Sequence, residues 1–262
     1  MRLIFSESEP DYSRYCYPYV VWAAPDPEDE PVHFFQAGFL PASPAMDSYY
    51  LTRQLRLPLG CFRLSSENRR ILRKGAPLRC RLIAKGDYEV TADKRDRWLG
   101  YADARFGPGV MSARRLQGLL EGEVISHFLV FEDEARDGHE VGIVLLYLSR
   151  PTLAFYYYAF YDLEYLSRNL GMYMMTRAAE LFAAEGFSWL HLGTCYSERA
   201  LYKTQFSGIE FFNGFRWSSD LDSLKHLLRR DVRSAHALQD PVFLGMEGGL
   251  PSILKTRGFR LA

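Results

Sequence analysis

Three runs in the middle of the chain constrain it most: VISHFLVFED, HEVGIVLLYLS and TLAFYYYAFY, spanning residues 124–161 and separated by EARDG and RP. Each is apolar or alternating and rich in β-branched and aromatic residues, and the links between them are of turn length. They predict an antiparallel meander. Directly behind it the period changes. From Asp162 to Glu185, Leu166, Leu170, Met174, Ala178 and Leu181 recur at three- and four-residue steps, and Gly186 stops the run, which predicts a long helix. SWLHLG then reads as a strand, ERALYKTQF as a helix, IEFF as a strand, and DLDSLKHLLRR as a helix opened by Ser219 or Asp220.

Upstream the pattern is less regular. An aromatic opening, DYSRYCYPYVVW, meets an acidic, proline-rich loop from Ala24 to Pro31, then the mixed segment VHFFQAGFLP. SSENRRILRK predicts a basic helix with Ser65 or Ser66 as N-cap, closed by Gly75 and Pro77. TADKRDRWLGYADARF and SARRLQGLL predict two further helices joined by the turn-rich FGPGVMS. The glycine-rich end after Asp240 gives no assignment. The expected organisation is an N-terminal subdomain over 1–86, a main domain over 87–230 and a tail over 231–262.

Composition narrows the function. The 262 residues are 48% hydrophobic and 24% charged, as in an ordinary globular protein. No signal-peptide pattern or membrane-length apolar run is present, so a cytoplasmic protein without a membrane partner is expected. The four cysteines, Cys16, Cys61, Cys80 and Cys195, contain no CxxC pair, and the six histidines show no metal-binding spacing. A metal enzyme is not expected. Lys plus Arg equals Asp plus Glu at 32 each, which argues against a strong whole-molecule field for DNA. Yet Arg69 to Lys85 holds seven basic and no acidic residues; this is either a solvated, charge-guarded surface or a phosphate-binding patch.

A meander of three strands, a long helix, a strand, a helix and a last strand is the core order of the GNAT acyltransferase superfamily, and residues 124–217 fit it. The expected fold class is therefore α+β: a GNAT-like mixed sheet flanked by helices, with a smaller N-terminal α/β subdomain. In that fold two central strands splay apart, and the helix N-terminus beside the gap offers unpaired N–H groups to an anionic donor. RNLG lies there, so Arg168 and Gly171 are candidates for a donor cradle. The alternative is a solvent-exposed arginine and a glycine that permits close helix packing. Tyr173, two residues after the glycine, would crowd a coenzyme A pyrophosphate.

SRNLGMYMMTRAAELFAAEGFSWLHLGTCYSERALYKTQF resembles the carboxy-terminal half of the arginyl-tRNA-protein transferases and their bacterial leucyl-transferring relatives. The matching positions are Tyr161-Asp162, Leu170-Gly171 with Tyr173, Leu190 through Gly193, and Tyr202-Lys203 with Phe206. CFRLSSENRRILRK resembles a second element of that family, through Phe62, Arg63, Ser65, Arg69, Arg70 and Arg73. The resemblance spans Tyr12 to Trp217. It implies transfer of an amino acid, of the arginine or leucine class, from aminoacyl-tRNA to the α-amine of a protein N-terminus or a smaller amine. Aminoacyl-tRNA is then a co-substrate and no further cofactor is required. The family's N-terminal cysteine cluster is reduced here to Cys16 and Cys61, too few to close an iron-sulfur or metal site alone.

On this reading Asp162 orients or deprotonates the amine, unless it is simply an N-cap. Lys203 meets an acidic acceptor side chain or a phosphate, and Tyr202 stacks on the terminal adenine, unless it packs with Phe206. Tyr161, Arg168, Asn169, Leu170, Gly171, Tyr173 and Gly193 would bind the donor. Arg63, Arg69, Arg70, Arg73 and Lys74 would grip tRNA phosphates. His191, alternating with Leu190 and Leu192, is a packed strand residue rather than a catalyst. Two other readings are an acyl-CoA-dependent N-acyltransferase, disfavoured by Tyr173, and a non-catalytic relative that binds tRNA or a peptide.

Overall fold

The computed structural model describes residues 1–7, 19–75, 77–230 and 237–256. Strands β1 (Arg2–Glu7) and β2 (Tyr19–Ala24) lead to helix α1 (Pro31–Gln36), whose first position holds Pro31. Proline suits that position because its missing N–H would be unpaired anyway, so the acidic loop ends in a helix. Short strands β3 (Phe39–Pro41), β4 (Tyr49–Leu51) and β5 (Gln54–Pro58) follow. Helix α2 (Ser66–Lys74) is capped by Ser65, whose side chain accepts from the Asn68 N–H, and strand β6 is Leu78–Ala84. Thr91 and Ser112 cap helices α3 (Ala92–Phe106) and α4 (Ala113–Glu121).

The predicted meander is strands β7 (His127–Asp133), β8 (His139–Ser149) and β9 (Leu153–Tyr161). Helix α5 (Leu170–Ala184) precedes strands β10 (Trp189–Thr194), β11 (Glu210–Phe212) and β12 (Trp217–Ser218). Helices α6 (Leu221–Arg229), α7 (Pro241–Met246) and α8 (Leu250–Thr256) complete the described chain. Two expectations change. Residues Leu163–Arg168 form a 3₁₀ segment, and Asn169 adopts the left-handed conformation at φ 57°, so the α-helix starts at Leu170 rather than near Asp162. Asparagine tolerates that conformation. ERALYKTQF forms 3₁₀ turns over Glu198–Gln205 instead of an α-helix.

The fold class is α+β, with one four-stranded sheet in the order β1-β2-β4-β3 and one mixed sheet of eight strands. The chain divides into two compact units that are discontinuous in sequence. One comprises Met1–Ala42, Asp47–Arg56 and Gly193–Ala262; the other comprises Ser43–Met46 and Leu57–Leu192. In the first unit the small sheet and α1 share a core in which Phe34 stacks on Tyr49 with centroids 4.0 Å apart. Gly38, at φ +92°, lets the Phe212 ring approach to 2.5 Å from where a Cβ would stand, space that no other residue leaves.

In the second unit β6, β7, β8 and β9 pair antiparallel in sequence order, and β10 joins β9 in parallel. The middle strands are covered on both faces, with Phe128 to Phe131 and Val141 to Leu146 buried in unbroken runs. Helix α5 lies against this sheet because Gly142 on β8 leaves room for Met174, whose sulfur is 2.9 Å from the missing Cβ position. Helix α3 packs on β9 through Trp98, stacked on Phe160 at 5.7 Å.

Candidate functional site

Strand β9 changes character halfway along. Its ladder with β10 joins Leu153, Ala154 and Phe155 to Trp189, Leu190 and His191, and stops there. A register shift in the β8 ladder leaves Tyr157 as an extra residue on β9, a bulge of the kind that bends a strand away from a neighbour. From Tyr156 to Tyr161 the strand ladder of β9 runs with β8. The end of the β9–β10 ladder is the kind of place where an extended ligand can lie along a strand.

The same strand end feeds α5. Its first helical bond runs from the Tyr173 N–H to the Asn169 carbonyl, and no side chain caps its first turn. Those N–H groups and the helix dipole form a site for a negatively charged or polarised oxygen. Asn169 is exposed, Leu170 is buried, and the Arg168 side chain lies outside the described residues. Gly171 admits the Tyr161 phenol, whose oxygen is 3.1 Å from the position a Cβ would take. The space left by this glycine is thus filled by protein, as in the close-packing alternative.

Tyr173 requires a correction. It does not line the helix mouth: it is 3% exposed, donates from its hydroxyl to the Leu78 carbonyl at 2.9 Å, and lays its ring over Gly75. Burial pushes its hydroxyl up to about 12. The late helix start is the reason, since the break at Asn169 sets the register and turns this residue toward α2 and β6. The crowding argument against coenzyme A therefore lapses.

Asp162, the residue after β9, is held by its own N–H to the Val141 carbonyl at 2.9 Å. One carboxylate oxygen meets His139 Nε2 at 3.1 Å and the other lies 3.8 Å from an Arg97 nitrogen. It caps no α-helix. Arg97, Trp98, Glu140, Val141, Gly142, Phe160, Tyr161 and Asp162 line a cleft of about 20 Å³, room for a water molecule. At its border Glu140 accepts from the Tyr88 hydroxyl at 2.7 Å and pairs with Lys94 at 3.2 Å. Burial and that carboxylate push the Tyr88 hydroxyl strongly upward.

The remaining candidates belong to the first unit. Gly193 has φ +74°, and Lys203 Nζ lies 3.9 Å from where its Cβ would be. Lys203 is half-buried and donates to the Thr194 carbonyl at 3.2 Å. Burial pulls its ammonium down to about 8, partly opposed by Cys195. Cys195 is fully buried, and burial pushes its thiol up. Tyr202 is 43% exposed and Phe206 is buried. His191, in the second unit, is completely buried, in keeping with a packed strand residue.

With this geometry in hand, the chain was compared with known proteins. No protein-family profile matches it. It is 26% identical over 190 residues to an aspartate/glutamate leucyltransferase of Ruegeria pomeroyi, spanning 71% of this chain and 69% of that one. A second such enzyme, from Chromobacterium violaceum, is 27% identical over 192 residues, spanning 71% and 76%. The chain is thus similar to two leucyltransferases at low identity. Among solved structures, FemX superposes with a TM-score of 0.40 at 9% identity, over 54% of this chain and 52% of that one.

The basic candidates divide in two. Arg70 is tied to Glu67 at 2.7 Å, and Arg69 donates to the Leu64 carbonyl at 2.6 Å. Arg63 donates to the Phe62 carbonyl, and Arg63, Arg69, Arg73 and Lys74 are all exposed. Farther along the run, Arg81 pairs with Glu132 and Lys85 donates to the Gly122 carbonyl at 2.7 Å. Exposed basic side chains are therefore most numerous around α2, with Arg79 on β6 exposed as well. Among the described residues no group of three or more His, Cys, Asp or Glu side chains could hold a metal, and no helix is long and apolar enough to cross a membrane. Cys16 lies outside the described residues, while Cys61 is exposed. His139 and Arg97 went unnoticed in the sequence: both are polar residues at the border of apolar segments, and only the β8–β9 pairing and the packing of α3 bring them to Asp162.

Proposed function

We propose that the chain is an aminoacyltransferase that moves an amino acid of the leucine or arginine class from aminoacyl-tRNA to the α-amine of a protein N-terminus or a smaller amine. The observation that carries this reading is the end of the β9–β10 ladder at Phe155, beside an α5 first turn without a side-chain cap. An activated ester needs an acceptor nitrogen held close and dipoles facing the oxygen that becomes negative; in this reading the strand end positions the acceptor and the α5 amides face that oxygen. The names and extent of the two leucyltransferase relatives support the choice of donor. Aminoacyl-tRNA places the protein in the cytoplasm.

In this account α2, with Arg69, Arg73 and Lys74, holds tRNA phosphates without reading bases. Lys203, lowered to about 8 yet still largely protonated at neutrality, meets the acidic side chain of the acceptor. Tyr202 offers an exposed ring for the terminal adenine. The test is incubation with leucyl-tRNA and arginyl-tRNA, each labelled in the amino acid, and peptides beginning with Asp or Glu. Label in the peptide supports the reading; its absence with both tRNAs overturns it.

The displacement of Tyr173 from the helix mouth favours a second reading, acyl transfer from an acyl-CoA. Acetyl-CoA raising the melting temperature while charged tRNA does not would select it, since only a bound ligand stabilises the folded state by mass action.

A further inference from the structure

We infer that His139 is the proton acceptor of the transfer reaction, with Asp162 as its positioning residue; the inference rests on the aminoacyltransferase reading above. Three observations lead to it. His139 opens β8, is exposed, and directs Nε2 to the Asp162 carboxylate at 3.1 Å, while no described residue pairs with its Nδ1. The Asp162 carboxylate is engaged on both oxygens, by His139 on one and by Arg97 3.8 Å from the other. Lastly, Asp162 follows Tyr161, whose phenol reaches the first turn of α5, so the dyad sits at the same end of β9 as that turn.

A carboxylate that accepts one imidazole N–H fixes the tautomer and leaves the other nitrogen with a lone pair, the arrangement a general base requires. Asp162, already engaged on both oxygens, fits the orienting role better than that of direct base. The charged groups around the imidazole are few. Arg97, shared with Asp93 at 3.3 Å, keeps the Asp162 site balanced; Glu140 is engaged by Tyr88 and Lys94; and Asp133, the ladder partner of His139, is buried and accepts from Tyr165.

The step balances as follows. The acceptor arrives mainly as an ammonium, its pKa being about 8, and gives one proton to His139 Nδ1. The freed amine attacks the ester carbonyl, the N–C bond forms, and the C–O bond to the ribose breaks. The imidazolium returns its proton to the ribose oxygen, and the second proton of the nitrogen goes to solvent water.

The test measures transfer from whichever charged tRNA the unaltered chain uses, across pH. His139→Gln should reduce turnover roughly 100-fold near neutrality without changing the KM for tRNA or the melting temperature. Its deficit should shrink above about pH 8, where the acceptor arrives already neutral. His139→Ala should regain activity when imidazole is added to the solution, and Asp162→Asn should lower turnover while leaving KM unchanged. A His139→Gln variant as active as the unaltered chain, or a deficit that is the same at every pH and unrescued by imidazole, would overturn the dyad alone. No transfer by the unaltered chain would instead overturn the aminoacyltransferase reading and the dyad with it.

Discussion

Lys203, proposed to meet the acceptor, carries a charge whose burial works against the fold that holds it. Its ammonium is half-buried, and its pKa falls from the ordinary lysine value to about 8. Between that value and about 10.5 the unfolded chain binds the proton more tightly than the folded one, so stability rises as pH climbs through this window. Near pH 7 the charge is present in both states and its burial destabilises the folded one. Lys203→Met should therefore raise the melting temperature near pH 7, with the advantage narrowing toward pH 10, and should reduce transfer roughly 100-fold. Thermal scans at both pH values with a parallel transfer assay check this. Tyr173 makes the opposite case. Removing its hydroxyl in Tyr173→Phe breaks the bond to Leu78 and should cost about 1 kcal/mol with transfer unchanged, measurable by urea unfolding. Spacing in RNLGMY suggested that Tyr173 lines the helix mouth, but periodicity does not say where a helix begins. The left-handed Asn169 decides the register, and a single such residue leaves no periodic trace.

At the scale of elements, legibility followed the length of the hydrophobic pattern. The meander, α3, α4 and α6 were readable because each carries several turns or pleats of one period, and Ser65, Thr91, Ser112 and Asp220 mark helix starts through short-range hydrogen bonds. Strands β3, β4 and β12 have only two or three residues, too short for any period, and α7 is fixed by distant contacts. Arg216 pairs with the buried Glu247 at 2.7 Å, and Ser223 donates to the same carboxylate. The basic element α2 yields a prediction of its own. Arg69→Ala combined with Arg73→Ala should weaken tRNA binding and flatten the dependence of log affinity on log salt by about one to two, as expected for the loss of one or two phosphate contacts. An unchanged slope in a salt titration would remove α2 from the tRNA interface. The 3₁₀ entry to α5 is tied down by the Tyr165 hydroxyl, which donates to buried Asp133 at 2.6 Å. Tyr165→Phe should cost about 1–3 kcal/mol by leaving that carboxylate short of a donor, read from the unfolding midpoint.

The whole molecule is less legible than its parts because its two units are assembled from separated stretches of chain. Residues Ser43–Met46 belong to the second unit although both flanks belong to the first. The reason is local: Pro44 accepts from the Val124 N–H at 3.0 Å and sits 2.5 Å from the missing Cβ of Gly122. No composition shift announces such an exchange. The candidate residues divide likewise, with Tyr161, Asp162 and Gly171 in one unit and Gly193, Tyr202 and Lys203 in the other, so each set is tested separately by its own variants. What joins them is the claim that a charged tRNA delivers the acyl group. The most direct measurement is transfer of labelled amino acid from leucyl-tRNA or arginyl-tRNA to a peptide with an acidic first residue. The account predicts label on the peptide α-amine with at least one of the two; peptide labelled only by an acyl-CoA, and by neither tRNA, would contradict it.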